Sequence, residues 1–280
     1  MSFDAWIGRQ TSAADWLGDA LAARWLATFD LPPNDPLPQG IHFCLCTPEA
    51  PTAQLGEDGH PWRDDSASSF FPPIPLPRRM WAASRIEFRA PLALGAAIKR
   101  TSRIASIGEK EGSSGKLGFV DVEHVTSADG IEAVRETQTL VYREAVAPDA
   151  PLSPPEAGAA RFEAGEWDTH RTITPDPRLL FRYSALTFNT HRIHYDAPYA
   201  RGVERYRGLV VHGPLMASLL LQMAALKLGD NALRSFEFRG ISPAIAGEEL
   251  HLVIREDESG FEMGAFAGDG RQVTKARAGT

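Results

Sequence analysis

Apolar and polar positions alternate along the chain in a way that marks eight strand-like segments. Four lie in the first half, at 83–88, 96–107, 116–125 and 131–142, and they predict an antiparallel meander. Four more follow near the end of the chain, at 235–239, 248–256, 261–267 and 272–276. Two groups of strands indicate a protein dominated by antiparallel sheet.

Helical spacing occurs in three other segments. Apolar residues recur every three or four positions from 11 to 29, which predicts an amphipathic helix. The segment 215–228 is apolar around most of its circumference, so we expect a helix that is buried on nearly all sides. Gly213 is placed to cap this helix, with Pro214 at its first helical position. A shorter segment at 77–84 is the candidate for the corresponding helix of the first half.

A Pro-rich segment divides the chain into two halves. Residues 148–158 have the composition of a linker, between a first half at 1–147 and a second at 159–280. The tripeptide 87–89, Glu-Phe-Arg, recurs at 237–239, and each copy is followed by a Pro and a Gly. A repeat near the same point of both halves indicates a duplicated unit. We therefore expect an α+β fold in which antiparallel sheets wrap around a long central helix.

The segment 32–77 follows a different pattern from the rest of the first half. It is rich in Pro, Asp and Ser, and predicts irregular surface structure with one strand near 41–45. Loops of this length in a compact domain are usually functional or are insertions.

Composition narrows the class of protein. The chain has 280 residues, with 29 Lys and Arg against 36 Asp and Glu, and its net charge of −7 argues against a nucleic-acid-binding protein. Cys44 and Cys46 are too close in sequence for an ordinary disulfide, which fits a reducing compartment. The longest apolar run, 215–228, contains Gln222 and Lys227 and is shorter than the roughly 20 residues that span a bilayer. We expect a cytoplasmic protein with no membrane partner, since the amino terminus has no secretion-signal pattern.

Hydrogen-bonding and titratable side chains are concentrated between 183 and 196. Such density without a clean hydrophobic period indicates a functional site. The alternative is a solvated surface loop, but a loop has no need for this set of side chains. After Tyr183, the segment presents six of them within eight positions: Asn189, His191, Arg192, His194, Tyr195 and Asp196.

This block resembles the signature of the MaoC-like hydratases and dehydratases, which have the hot dog fold. That signature is Gly-Asp, any residue, Asn-Pro, an aliphatic residue and His. Alignment puts Asn189 at the aspartate, His191 at the asparagine, Arg192 at the proline and His194 at the histidine. The form found at 188–196 is similar to a subgroup of double hot dog enzymes, which includes hydroxyacyl-thioester dehydratase type 2 and the mesaconyl-CoA and itaconyl-CoA hydratases.

The resemblance covers most of the chain. Residues 209–215 are similar to the segment that opens the family's central helix, and 58–61 and 75–82 are similar to parts of its N-terminal half. The resemblance implies a double hot dog whose N-terminal half has lost its catalytic block, so that each chain has one active site. It implies no metal and no cofactor, with a coenzyme A thioester as substrate.

The chemistry of hydration can also be argued from the residues. Adding water to a double bond conjugated to a thioester needs a base, an acid and donors to the enolate oxygen. His194 can exchange a proton near neutral pH, whereas Asn189 can only orient the water. His191 or Asp196 can assist in proton transfer. Gly213 is the predicted donor to the thioester oxygen, because N–H groups at a helix start lack intrahelical acceptors.

The remaining candidates are assigned to substrate binding. Arginines can bind a substrate carboxylate or the phosphates of coenzyme A, although each alone is more often a surface charge. For His212 a structural role is as consistent with the sequence as a catalytic one. A metal held by His191, His194 and Asp196 is disfavoured, because Arg192 lies between them in sequence. The predicted substrate-binding residues are Tyr183, His191, Arg192, Asp196, His212, Arg207 and Arg79.

We therefore predict an enzyme of the hydro-lyase class that reversibly hydrates an enoyl-CoA thioester. The resemblance points to a short branched or dicarboxylic acyl group, as in mesaconyl-CoA or itaconyl-CoA. One alternative is a 3-hydroxyacyl-thioester dehydratase that acts on acyl carrier protein or coenzyme A esters. Another is a non-catalytic acyl-thioester binding module, in which Asn189 marks the loss of activity. Hot dog sheets often pair edge to edge, so a homodimer is compatible with the fold.

Overall fold

The computed structural model describes residues 3–112 and 115–280. A large antiparallel sheet with few helices makes it an α+β protein, which confirms the predicted class. In chain order the strands and helices are β1 (Gln10–Trp16), α1 (Asp19–Thr28), β2 (Arg78–Phe88), β3 (Ala97–Gly112), β4 (Gly115–Ala128), β5 (Ile131–Arg143), β6 (Thr169–Ile173), α2 (Pro177–Leu186), α3 (Ala197–Gly202), α4 (Gly213–Leu228), β7 (Ser235–Gly240), β8 (Leu250–Asp257), β9 (Gly260–Ala267) and β10 (Gln272–Gly279).

Ten strands in the described residues form one antiparallel sheet in the order β1-β3-β4-β5-β2-β7-β10-β9-β8-β6. The first five strands make one half and the last five make the other. Counted outward from the centre, both halves have the same topology, because β2-β5-β4-β3-β1 matches β7-β10-β9-β8-β6. The two halves meet where Ile86 of β2 lies opposite Phe236 of β7.

Two glycines show the same equivalence in detail. Gly95 and Gly247 both have positive φ, of 81° and 85°, and each shortly precedes a strand at the same position of its half. Gly95 N–H donates to Leu17 O at 2.8 Å, and Gly247 N–H donates to Pro175 O at 2.7 Å. Leu17 and Pro175 follow β1 and β6, the outermost strands of the two halves. The two halves therefore repeat a local turn as well as a strand order, which supports duplication.

The central helix of the second half is α4. It begins at Gly213, one residue earlier than predicted, so that His212 and not Gly213 is its N-cap, and Gly229 follows its last residue. Residues 215–224 are buried without exception, as its apolar circumference predicts. The helix packs against β8 and β9, so the sheet curves around it.

Two of the helix predictions are wrong. The segment 11–29 is not one helix, because Gln10–Trp16 pairs as an edge strand with β3 before α1 begins. The segment 77–84 lies largely in β2, where it pairs with both β5 and β7 at the centre of the sheet. Sheet pairing therefore overrides the helical spacing in both places. By position between β1 and β2, α1 is the first-half counterpart of α4.

The segment 32–77 also differs from the prediction. Ile41–Cys44 forms a short 3-10 helix, not a strand. Leu37, Ile41, Phe43 and Leu45 are buried and belong to the main core, so this part of the segment is not surface structure. Its apolar residues belong to the same core cluster as Trp25 and Leu26 of α1.

Residues 148–158 contain neither helix nor strand in the structure. The segment is fixed to the second half, because Ser153 N–H donates to Arg205 O at 2.7 Å and Arg207 N–H donates to Ser153 O at 3.0 Å. The division into 1–147 and 159–280 stays a prediction. Among the described helices, none is long and apolar enough to cross a membrane.

Candidate active site

One cavity of about 1710 Å³ runs between the two halves of the molecule. Its walls include parts of β2 to β5, the segment 187–194 and the beginning of α4. The polar block singled out from the sequence therefore lies where the two halves contribute to the same space.

The backbone of the block is fixed by local hydrogen bonds. After α2 ends, Phe188 takes a left-handed conformation with φ of 47°, which few residues other than Gly adopt at no cost. Asn189 N–H donates to Ser184 O at 2.9 Å, and Asn189 Oδ1 accepts from His191 N–H at 2.9 Å. The side-chain NH₂ of Asn189 therefore remains as a donor for the cavity. A short 3-10 helix, Arg192–His194, follows.

His194 is buried and its ring has a defined tautomer. Nδ1 lies 2.7 Å from Val210 O, and because a carbonyl can only accept, Nδ1 carries the proton and Nε2 is left as an acceptor. Burial lowers the pKa of His194 to about 4; the bond to Val210 opposes this shift and the charge of His60 adds to it. The imidazole is therefore neutral at pH 7, which is the state a base needs.

His212 supports the ring of His194. The two imidazoles are stacked with their centroids 3.5 Å apart and their planes 19° from parallel. His212 Nε2 lies 2.9 Å from Ser184 Oγ, and the Tyr183 ring lies 5.2 Å away. Burial, followed by the charges of His194 and His191, holds the pKa of His212 well below its usual value.

The amino terminus of α4 faces the same cavity. Gly213 is the first helical residue and lines the cavity, so its N–H lacks an acceptor within the helix. A Cβ at this position would lie 3.7 Å from Trp81 O, which is an ordinary contact. The surrounding protein therefore does not require glycine here, and the free space is on the side of the cavity.

A loop of the first half reaches into the site. Thr190 Oγ1 donates to Gly59 O at 2.6 Å, and Arg192 N–H donates to Asp58 O at 2.8 Å. Gly59 has φ of 87°, and a Cβ there would lie 1.8 Å from Thr190 O. Only glycine permits this approach. The loop brings the ring of His60 to 4.1 Å from the ring of His191.

The His60 ring is held by a carboxylate. His60 Nδ1 lies 2.9 Å from Asp58 Oδ2, and His60 N–H donates to Asp58 Oδ1 at 3.0 Å. Burial alone would raise the pKa of Asp58, but these bonds and the charge of His60 lower it. Burial, with the charges of His60 and His194, lowers the pKa of His191. Four imidazoles thus form a row along the cavity, in the order His60, His191, His194 and His212.

Three of these side chains have atoms close enough to suggest a metal. Ligand atoms of Asp58, His60 and His191 all lie within 4.8 Å of one another. Nδ1 of His60 is already bonded to Asp58, and the rings of His60 and His191 lie side by side, tilted by 36°. These contacts account for the cluster, so we assign no ion to it. That the protein uses no metal or cofactor stays a prediction.

Known proteins are similar to this chain over most of its length. The family model for hydroxyacyl-thioester dehydratase type 2 matches residues 40–246. A mesaconyl-C(4)-CoA hydratase of Chloroflexus aurantiacus is 40% identical over 277 residues, which cover 97% of this chain and 95% of that protein. The chain belongs to the hydroxyacyl-thioester dehydratase type 2 family. It is therefore a hydro-lyase of the hydratase and dehydratase type.

Solved structures identify the fold of this family member. A MaoC-like dehydratase from Phytophthora capsici matches with a TM-score of 0.70 at 13% identity, covering 100% of this chain and 99% of that one. A Mycobacterium tuberculosis protein described as having a double hot dog fold matches with a TM-score of 0.56 at 14% identity, covering 97% and 95%. The predicted double hot dog is confirmed.

The cavity brings together six of the ten residues that the sequence singled out in this dehydratase-type chain. Five of them come from the polar block and the start of α4, and the sixth is on β2. The six are Asn189, His191, His194, His212, Gly213 and Arg79.

The other four lie outside the cavity lining. Arg192 and Asp196 bond to each other at 2.8 Å, and Asp196 also caps α3. Arg207 is buried in an ion pair with Glu248, and Tyr183 lies in the core beside His212. Within the described residues, these four side chains pair with neighbouring protein groups or pack in the core, and none of them lines the cavity.

Sequence reasoning missed the contribution of Asp58 and His60. The segment 58–61 resembles part of the family's N-terminal half. It lies about 130 residues before the block in the chain, and nothing in a single sequence shows that the two segments are in contact. The nearest signal was Gly59 between two titratable residues, which is typical of a close backbone approach.

Proposed function

We propose that the protein reversibly adds water to the double bond of an enoyl-CoA thioester with a short dicarboxylic or branched acyl group, such as mesaconyl-CoA or itaconyl-CoA. The observation that carries the proposal is the 40% identity to a mesaconyl-C(4)-CoA hydratase, which extends over nearly the whole of both chains. The cavity residues support it, because they supply the groups that hydration needs.

The attack of water and the stabilisation of the thioester oxygen each have a group beside the cavity. Nε2 of His194 accepts a proton from water, whose oxygen then bonds to the β-carbon of the acyl group. The amide NH₂ of Asn189 donates to the water oxygen and orients it. The thioester oxygen gains negative charge and accepts from Gly213 N–H at the positive end of α4. His212 keeps the His194 ring in place by stacking.

The lining of the cavity favours a polar acyl group. Where the cavity extends along the first half, its walls include Arg100, Ser102, His124 and Gln138, from neighbouring strands. Arg100 donates to His42 O at 2.7 Å and to Thr126 Oγ1 at 3.1 Å, which holds its guanidinium in the wall. A long aliphatic chain would leave these groups without water, whereas a second carboxylate can accept from them.

The alternative is a 3-hydroxyacyl-thioester dehydratase, which the name of the family favours. It runs the same chemistry in reverse, so the two functions differ in the acyl group and in the carrier. The cavity of about 1710 Å³ has room for more than a short acyl group. The test must therefore include long acyl chains and both carriers.

The test is an assay of the purified protein against a panel of thioesters, followed by mass spectrometry. The panel contains mesaconyl-CoA, itaconyl-CoA, crotonyl-CoA, a long enoyl-CoA, and 3-hydroxyacyl esters of coenzyme A and of acyl carrier protein. We expect a gain of 18 mass units with the dicarboxylic esters, at a kcat/KM at least tenfold above crotonyl-CoA. Preference for the long or carrier-protein esters would replace the proposal by the dehydratase alternative.

A further inference from the structure

His60 is a titratable side chain of the cavity to which the chemistry above gives no role. It lies on a loop of the first half and lines the same cavity as His194. The centroid of its ring is 4.1 Å from that of His191. The loop is tied to the block by bonds from Thr190 and from the Arg192 backbone. A residue that is far away in sequence is thus fixed among the candidate reacting groups.

The ring of His60 has the orientation of a proton-transfer group. Its Nδ1–H donates to Asp58 Oδ2 at 2.9 Å, which leaves Nε2 as the exchanging nitrogen. Asp58 is bonded to His60 through both oxygens, and it does not itself belong to the cavity lining. A carboxylate behind an imidazole fixes the orientation of the ring and which nitrogen carries its proton.

Hydration needs a group of this kind. One residue must take a proton from water, and another must give a proton to the carbon next to the thioester carbonyl. His194 can do the first, but Asn189 has no exchangeable acid proton for the second. His191 lies between the rings, with its centroid 5.5 Å from that of His194. A single imidazole, that of His191, therefore lies between His60 and His194.

We propose that His60, oriented by Asp58, is the second proton-transfer residue of the reaction, so that the N-terminal half supplies a catalytic group to the C-terminal site. This inference rests on the proposed hydration of an enoyl thioester. His60 is the catalytic residue of the pair, and Asp58 is a positioning residue.

The step balances as follows for hydration. The water oxygen bonds to the β-carbon while its proton passes to His194 Nε2, and the double-bond electrons move to the thioester oxygen at Gly213. Those electrons return to form a bond between the α-carbon and the proton on Nε2 of the protonated His60. The proton on His194 then passes to His60 through His191 or through water. The net change is one water added, with both histidines restored.

The deciding variant is His60→Phe, which keeps an aromatic ring against His191 but has no nitrogen. If His60 transfers a proton, kcat falls by about 100-fold or more with KM changed less than threefold. If His60 only packs against His191, His60→Phe keeps a rate close to that of the wild type, and the proposal is overturned. His251→Phe is the matched control, because His251 lies outside the cavity and should retain the wild-type rate.

Two further variants separate catalysis from folding. In His60→Ala, added imidazole should restore at least a tenth of the wild-type kcat, and absence of rescue in a folded variant contradicts proton transfer. Asp58→Asn keeps the shape and one acceptor but lacks the charge, so we expect kcat to fall about tenfold. A wild-type rate in Asp58→Asn would remove the positioning role. Circular dichroism establishes that each variant is folded before it is scored.

Further outcomes distinguish proton transfer by His60 from metal binding and from a failure of the proposed function. A wild-type rate that is lost with EDTA and restored by Zn²⁺ would assign Asp58, His60 and His191 to an ion and overturn proton transfer by His60. If the wild type hydrates an enoyl-CoA but His60→Phe does so equally well, this inference fails and the proposed function stands. If the wild type leaves every thioester unchanged, the proposed function fails and this inference with it.

Discussion

The imidazole of His194 lies face to face with that of His212, and the two ring centroids are 3.5 Å apart. Both rings are buried, and burial lowers both pKa values, so the stack consists of two uncharged rings at neutral pH. Two charged rings at this distance would repel each other. Burial therefore keeps His194 in the neutral form, and the contact with His212 holds its ring in one orientation.

The first prediction concerns the base itself. His194→Gln should lower kcat by roughly 10²- to 10⁴-fold, because Gln can bond to Val210 O but cannot accept a proton from water. Asn189→Ala should also reduce turnover by orders of magnitude, since the water loses the donor that orients it. Thermal unfolding should change little in either variant. A rate close to that of the wild type in either folded variant would remove that residue from the reacting centre.

A second prediction follows from the pKa of His194, which burial lowers to about 4. A base works only when it is unprotonated, so protonation of His194 should not lower kcat/KM until the pH is brought down toward 4. The acid limb should have its midpoint nearer to 4 than to the 6.5 of an exposed histidine. The measurement is a pH profile of kcat/KM, with circular dichroism at each pH to exclude unfolding. A midpoint near 6.5 would show that an exposed group controls the rate.

The sequence predicted the β3-β4-β5 meander, the central helix α4 and the polar block better than it predicted the segment before residue 85. Strands of the β3-β4-β5 meander alternate clearly because one face is buried, and α4 stands out because it is apolar all round. Gln10–Trp16 could not be recognised as a strand, because all its residues are exposed and only pairing with β3 defines it.

The place of the loop at 58–61 in the site could not be predicted for a different reason. Asp58 and His60 reach the block at 190–192 only through tertiary hydrogen bonds, and no local pattern encodes them. By contrast, Asn189 and His194 lie on one short segment with a recognisable spacing. A site built within one segment can be predicted from a single sequence, whereas a site completed by a distant loop cannot.

A third prediction concerns stability in acid. Burial lowers the pKa of His42 to about 3, with the charge of Arg100 adding to the shift. Since an unfolded histidine has a pKa near 6.5, the unfolded chain binds the extra proton between these values. The stabilising contribution of neutral His42 to the free energy of unfolding is therefore complete above pH 6.5. As the pH is lowered from there toward 3, the free energy of unfolding falls by about 1.4 kcal/mol per pH unit.

His42→Phe tests this account. Phe can pack against Phe43 and Phe88 as the imidazole does, and Nε2 of His42 has no partner among the described residues. Urea unfolding at pH 7, 6 and 5 should show a pH slope that is smaller than in the wild type by about 1.4 kcal/mol per unit. An unchanged slope would mean that His42 is protonated in the folded protein.

A fourth prediction separates stability from activity at the start of α4. Gly213→Ala adds a Cβ whose nearest protein atom is 3.7 Å away, so the fold should tolerate it, and the free energy of unfolding should rise by a few tenths to ~1 kcal/mol. Because Gly213 lines the cavity, we expect the added methyl group to hinder the approach of the thioester oxygen to this N–H. We expect kcat/KM to fall by about 100-fold. Unimpaired kinetics would exclude Gly213 N–H as the donor.

The last prediction tests whether the loop at 58–61 is needed for catalysis. Gly59→Ala forces a Cβ into Thr190 O, at 1.8 Å, so the loop must separate from the block. Gly130→Ala is the matched control, because Gly130 has φ of 82° and no atom within 4 Å of its added Cβ. Both variants bear the backbone strain of a positive φ, roughly 1–2 kcal/mol, but only Gly59→Ala also displaces His60.

The two variants should therefore differ in kcat as well as in stability. Gly130→Ala should lower the free energy of unfolding by about 1–2 kcal/mol and leave kcat unchanged. Gly59→Ala should lose more stability than this and at least tenfold in kcat, because the row of imidazoles loses its first member. The measurements are urea unfolding and steady-state kinetics on both proteins. Equal kcat values would mean that the second half holds a complete active site without the loop, and that the first half serves only to bind and support.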